Sequence, residues 1–198
     1  MTRKSIPVCA KNRVIVNMVI ILDRDGVINY DSVSYVKSPE EFIFIPGSLE
    51  AIAALKLAGF TVVIATNQSG LARKLYDEEM LTKIHDKLLI NLKEVGGSLD
   101  GIYYCPHLPE HLCECRKPKS GLLKTIALDF SIDLTKQAVF IGDSLRDIQA
   151  AQSVNCPVIL VETGNGRKTL QENPTLSQKI EVCADLAEAA NRLIILNA

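Results

Sequence analysis

The chain has 198 residues, 47% of them hydrophobic, and a formal net charge of −1. That length suits a single domain with a substantial core, and the near-neutral charge gives no reason to expect nucleic acid or an acidic membrane as the main partner. Trp is absent and aromatics are only 5%, so packing rests on Ile, Leu, Val and Ala, the palette of parallel α/β sheets, and no apolar run approaches the ~20 residues that span a bilayer.

Residues 1–17, MTRKSIPVCAKNRVIVN, carry four basic residues and no acidic one. Asn17 interrupts the apolar part, and no small-residue cleavage site separates it from DRDG. The segment therefore reads as an N-terminal extension and not as a signal peptide, with Met18 a candidate start and 18–198 the folded domain. A strand is predicted at VIIL, 19–22. GSLEAIAALKLAG, 47–59, follows with helical spacing of Leu49, Ile52, Ala53 and Leu55 and a glycine at its end. FTVVIAT, 60–66, is a buried strand. Residues 77–96 open with acids and end at Gly96, with Gly97 behind it, as a helix does. The pattern continues with a strand at 101–105, a helix at 121–131, a strand at 138–143, a helix at 144–154, a strand at 157–163 and a C-terminal helix over about 185–196.

Alternating strands and helices with short connections predict one Rossmann-like α/β domain: a mostly parallel sheet, helices on both faces and right-handed crossovers. No insertion is large enough for a cap domain. In such sheets ligands bind beyond the C-terminal strand ends, so the loops after residues 22, 66, 105, 143 and 163 matter most.

The first of these loops is Asp23-Arg24-Asp25-Gly26, which alone is no more than a turn composition. The second, Thr66-Asn67-Gln68-Ser69-Gly70, offers hydroxyl and amide donors with a flexible glycine, which suits an anion such as phosphate or simply a capped loop. The fourth strand ends in Gly142-Asp143-Ser144, where Asp143 can face the same edge as Asp23 or cap the next helix. Together they bring acid, polar and acid strand ends to one edge, and CRKPKSG adds Arg116, Lys117 and Lys119. Crowded carboxylates with oxygen-only ligands suit Mg²⁺, and Mg²⁺ with Lys and Arg is what a phosphoryl group needs as its charge redistributes. One carboxylate can attack phosphorus while a second carries the leaving-group proton.

DRDG, TNQSG and IGDSLRD, in this order, resemble the haloacid dehalogenase superfamily of aspartate-nucleophile phosphohydrolases. DRDGVINYD…YV, TNQSGLAR, YYCPH and CECRKPKSG are similar to its heptose bisphosphate phosphatase group, over about Val19 to Gly166. The resemblance implies a cytoplasmic enzyme that removes phosphate from a phosphorylated sugar on the way to the lipopolysaccharide core precursor ADP-heptose. It implies Asp23 as nucleophile and Asp25 as general acid/base. It also implies Mg²⁺ on Asp23, the Asp25 main-chain carbonyl and Asp143, and the transferred phosphate on Thr66 and Lys117. Asn67, Gln68, Ser69 and Arg116 are then substrate contacts, and the segment Asp31 to Tyr35, with Ser34, lies over the sugar. By strand alternation Arg24 points away from the site. The chain departs from this pattern at Ser144, where the group usually has Lys, and in a short cysteine loop closer to histidinol-phosphate phosphatases. Histidinol phosphate is accordingly the alternative substrate, and a zinc-stapled binding module without activity is the alternative of a different class.

Cys105, His107, Cys113 and Cys115 read C-x-H-x5-C-x-C. Three thiolates and an imidazole complete a tetrahedral zinc set with no open position, which marks a structural Zn²⁺ and a reducing compartment. His111 competes as the nitrogen, and the family pattern favours His107. Its task is to fix the loop that delivers Arg116 and Lys117. Cys9, Cys156 and Cys183 carry no assignment, and His85 is expected on a solvated helix face. A monomer is expected.

Overall fold

The computed structural model describes residues 18–197, so the extension predicted over 1–17, with Cys9, lies outside the described residues. Six parallel strands form one sheet in the order β3-β2-β1-β4-β5-β6. They are β1 (Val19–Leu22), β2 (Thr61–Asn67), β3 (Gly101–Cys105), β4 (Ala138–Gly142), β5 (Val158–Val161) and β6 (Glu181–Cys183). The helices are α1 (Ser48–Leu57), α2 (Glu78–Glu94), α3 (Gly121–Asp129), α4 (Leu134–Gln137), α5 (Leu145–Gln152), α6 (Gly166–Glu172) and α7 (Leu186–Leu196).

Strand alternation sorts the core into two layers. Ile20, Leu22, Val62, Ile64, Val139 and Ile141 face one side, where Ile52 and Leu55 of α1, Leu88 of α2 and Leu193 of α7 pack on them. Val19, Ile21, Val63, Ala65 and Phe140 face the other, against α3 and α5. A strand covered on both faces has no polar side to show, which is why β1 reads as four consecutive apolar residues, all buried. No described helix is long and apolar enough to cross a membrane.

The chain leaves β1 for β2 and β3 on one side, then crosses to β4, β5 and β6 on the other. The strand order reverses about β1, and the crevice at such a point receives ligands. Three elements escape the sequence pattern: α4, α6 and β6 are each too short to show a periodicity, and β6 is also partly exposed.

Candidate active site

The crevice holds a cavity of about 240 Å³ lined by the ends of β1, β2 and β4, the segment after β1, and Arg116 and Lys117. Asp23 continues β1 by one residue: its N–H donates to the Ile141 carbonyl at 2.9 Å. The backbone then turns. The Arg24 carbonyl accepts from Ile28 N at 2.8 Å, and Gly26 takes a φ of +86°. A Cβ at Gly26 would collide with the Asp143 carboxylate, so only glycine lets the β1 and β4 loops close on each other.

Asp23 faces Lys117, whose Nζ lies 2.8 Å from Asp23 Oδ2 and 2.7 Å from Asp147 Oδ1. Lys117 is 2% exposed. Burial works against its charge, but Asp147 and Asp23 outweigh burial and raise its pKa, so it stays an ammonium. Asp147, fully buried, is lowered: burial opposes ionisation and Lys117 more than compensates. Burial first, and then the neighbouring carboxylates, push Asp23 up to about 8; burial and Asp147 push Asp143 to about 7.

Asp25 has the opposite environment. Arg24 Nε and Nη2 donate to Oδ1 at 3.2 and 2.9 Å, and Nη2 reaches Oδ2 at 3.0 Å. Asn29 Nδ2 donates to Oδ1 at 2.8 Å and Gln68 Nε2 to Oδ2 at 2.9 Å. Burial raises its pKa, but these N–H donors and the Arg24 charge lower it overall. Arg24 therefore corrects the expectation from alternation. The chain has already turned beyond Asp23, and the guanidinium curls back onto Asp25 and lines the cavity. His85 is a second correction. It falls on the inward stripe of α2 with Leu81, Ile84, Leu88 and Leu92, is 9% exposed, and has a pKa pushed down to about 4 by burial and then by Arg24.

The remaining β2 residues divide between cavity and support. Thr66 is buried and accepts from Gln68 Nε2 at 2.9 Å, leaving its hydroxyl proton to donate into the cavity. Tyr76 O–H donates to Gln68 Oε1 at 2.8 Å, which orients the amide toward Asp25. Gly70 makes room for the Tyr76 ring, against which any Cβ would collide; the flexibility expected of it is not its role. Asn67 spends its amide on the main chain of Lys117, donating to the carbonyl and accepting from the N–H, both at 3.1 Å. Ser69 lines the cavity, as do Asp31 and Tyr35, while Ser34 is exposed and outside the lining.

Asp143 Oδ2 accepts from the Asn165 main chain at 2.7 Å and side chain at 3.1 Å. The cap of α5 is Ser144, whose N–H and hydroxyl both donate to Asp147 Oδ2. Ser144 thus serves the helix and Asp147, and Arg146 puts a cation on the cavity wall two residues later. Ligand oxygens of Asp23, Asp143 and Asp147 lie within 4.8 Å of one another. Both Asp147 oxygens are taken by Lys117 and Ser144, Asp23 meets Lys117 and the Arg24 N–H, and the three clustered carboxylates are hard donors of the kind that fit Mg²⁺.

The cysteine loop gathers Cys105, His107, Cys113 and Cys115 into one cluster. Sγ–Sγ separations are 3.3–3.6 Å, and His107 Nδ1 is 3.3 Å from Cys115 Sγ and 3.6 Å from Cys105 Sγ. Tetrahedral zinc with ~2.3 Å bonds to sulfur separates its ligands by about 3.7 Å, so the set fits the ion. His111 Nδ1 is instead near Leu108 N at 3.4 Å, outside the cluster. Arg116 Nη1 donates to the His107 carbonyl at 3.1 Å, tying the loop to the cavity.

Residues 114–189 match the HAD-hydrolase-like family model. The D-glycero-beta-D-manno-heptose-1,7-bisphosphate 7-phosphatase of Bordetella bronchiseptica is 53% identical over 175 residues, 88% of this chain and 97% of that protein. The chain belongs to the heptose-1,7-bisphosphate 7-phosphatase family of HAD-like hydrolases. The family's Pseudomonas aeruginosa member is 47% identical over 175 residues, 88% of this chain and 97% of its own. The solved D,D-heptose 1.7-bisphosphate phosphatase from B. bronchiseptica, complexed with magnesium and phosphate, has a TM-score of 0.87 at 51% identity, covering 90% of this chain and 99% of its own.

Asp147, Arg24, His85, Asn29, Tyr76 and Asn165 were not assigned from the sequence. Asp147 left a signal there, as the acid at i+4 from Asp143 in GDSLRD, and His85 left one in its i+4 spacing from Leu81. The others depend on contacts between distant segments.

Proposed function

We propose that this phosphatase removes the 7-phosphate of D-glycero-β-D-manno-heptose 1,7-bisphosphate through an aspartyl phosphate on Asp23. The carrying observation is the cavity floor, where Asp23 Oδ2 stands 2.8 Å from Lys117 Nζ and Thr66, Asp25 and Asp143 line the same cavity. Asp23 attacks phosphorus and the bond to the sugar oxygen breaks. Lys117 and Thr66 hold the phosphoryl oxygens as charge moves onto them. The negative charge of the bound phosphoryl group favours the protonated form of Asp25 against its N–H donors, and Asp25 gives that proton to the departing oxygen. It then takes one from the water that attacks the aspartyl phosphate, which frees inorganic phosphate and restores Asp23. Bound at Asp23, Asp143 and the Asp25 carbonyl, Mg²⁺ would supply positive charge against that of the phosphoryl group. The family member solved with magnesium and phosphate supports that assignment.

The names of the Bordetella and Pseudomonas relatives support the heptose substrate and its β anomer over histidinol phosphate. The reaction belongs to formation of the ADP-heptose precursor of lipopolysaccharide. Cys105, His107, Cys113 and Cys115 hold a structural Zn²⁺ that keeps Arg116 and Lys117 in place, and the thiolates need a reducing compartment, the cytoplasm. The reading includes a monomer, which sedimentation of the purified protein tests. The test is kcat/KM on both anomers of the bisphosphate and on histidinol phosphate. The β anomer is expected to be preferred, and faster turnover of histidinol phosphate overturns the substrate.

A further inference from the structure

His85 lies outside the cavity lining, yet it is the second contact of the group that grips Asp25. Arg24 sends Nε and Nη2 to Asp25 and Nη1 the other way, to within 3.3 Å of His85 Nε2. Guanidinium has donors only, so Nε2 must accept and the ring proton sits on Nδ1. The pair is buried, with Arg24 1% exposed, and the Phe42 ring 5.4 Å from the guanidinium closes another side. A buried guanidinium without this acceptor would leave Nη1 unpaired, a cost it could relieve by rotating away from Asp25. Gln68, oriented by Tyr76, grips the other oxygen of Asp25, and the Asp25 side chain keeps 21% exposure toward the cavity.

We propose that His85 is a positioning residue of the reaction: by accepting from Arg24 Nη1 it sets the guanidinium that aims the Asp25 carboxylate at the leaving oxygen and the attacking water. The inference rests on the acid/base reading of Asp25 given above. A purely structural buried histidine would be replaceable by any side chain of its volume. A positioning histidine is replaceable only by one that puts an acceptor where Nε2 stands.

Glutamine can reach that place and asparagine, one methylene shorter, cannot. Kinetics on heptose 1,7-bisphosphate with His85→Gln, His85→Asn, Asp25→Asn and the His85→Asn/Asp25→Asn double variant test the idea. His85→Asn is expected to lose roughly tenfold in kcat with KM nearly unchanged, part of the 10²–10⁴ that acid/base catalysis contributes. His85→Gln recovers most of it, and the double variant is no slower than Asp25→Asn. Equal kcat for the Gln and Asn variants overturns the inference, as does a double variant slowed by the full product of the single effects. An unfolded His85→Asn beside a folded His85→Gln is resolved by His85→Met, which fills the site without a good acceptor: wild-type kcat there overturns the inference and reduced kcat with unchanged KM supports it. An undiminished Asp25→Asn removes the acid/base reading itself, whereas a slow Asp25→Asn beside an unaffected His85→Asn overturns the inference alone.

Discussion

Asp23 and Asp25 are two residues apart, yet they sit in opposite electrostatic surroundings. The Asp23 side of the cavity is a buried chain of charges, Asp23–Lys117–Asp147, with Asp143 adjoining, and burial and like charge push the Asp23 pKa up. The Asp25 side is a set of N–H donors from Arg24, Asn29 and Gln68, which holds that carboxyl below its usual range. One strand end thus gives two carboxyls different neighbours, a buried ammonium for Asp23 and a fan of N–H donors for Asp25.

The largest effect should come from breaking the charge chain at its centre. Lys117→Met leaves two buried carboxylates facing each other without a cation; removal of one partner from such a network costs about 3–5 kcal/mol. Chemical denaturation should show that loss, and turnover should vanish at temperatures where the variant is still folded. Metal removal separates the zinc loop from the cavity floor. Stripping zinc should lower Tm by many degrees, because the loop that carries Lys117 loses its anchor, whereas chelating magnesium alone should stop turnover reversibly with a small change in Tm. Metal analysis finding no zinc would refute the loop assignment.

The smallest effect belongs to the Asp25 side. His85 has a folded pKa of about 4 against an ordinary 6.5, so the unfolded chain binds more protons between those values. Its contribution is complete above pH 6.5 and is lost as pH falls toward 4, by up to about 3 kcal/mol. In His85→Gln the denaturation midpoint should be flatter over that window; an unchanged slope contradicts the buried neutral imidazole.

Much of this was legible in the sequence because it depends on local pattern. Among the described residues, long apolar runs and helical periods located five of the six strands and five of the seven helices, and the acids at β1 and β4 and the cysteine spacing pointed to the cavity and the Cys/His cluster. What escaped depends on the path of the chain after a strand ends. Arg24 was expected to point outward because alternation was extended one residue beyond the ladder. His85 was expected in solvent because its neighbours on α2, Lys83, Asp86 and Lys87, are charged, although it stands at i+4 from the buried Leu81. Ser144 looked like a lost cation, but it caps α5, and Arg146 carries a cation to the cavity.

The division of labour is tested most directly by rapid mixing of p-nitrophenyl phosphate, whose leaving group needs no proton, with Asp25→Asn and Asp23→Asn variants. Asp25→Asn should release about one equivalent of nitrophenolate per site in a burst, then turn over slowly, with phosphate trapped on Asp23 by acid quench and peptide mapping. Asp23→Asn should give neither burst nor turnover. Sustained hydrolysis by Asp23→Asn, or phosphate trapped on any other residue, would contradict the account.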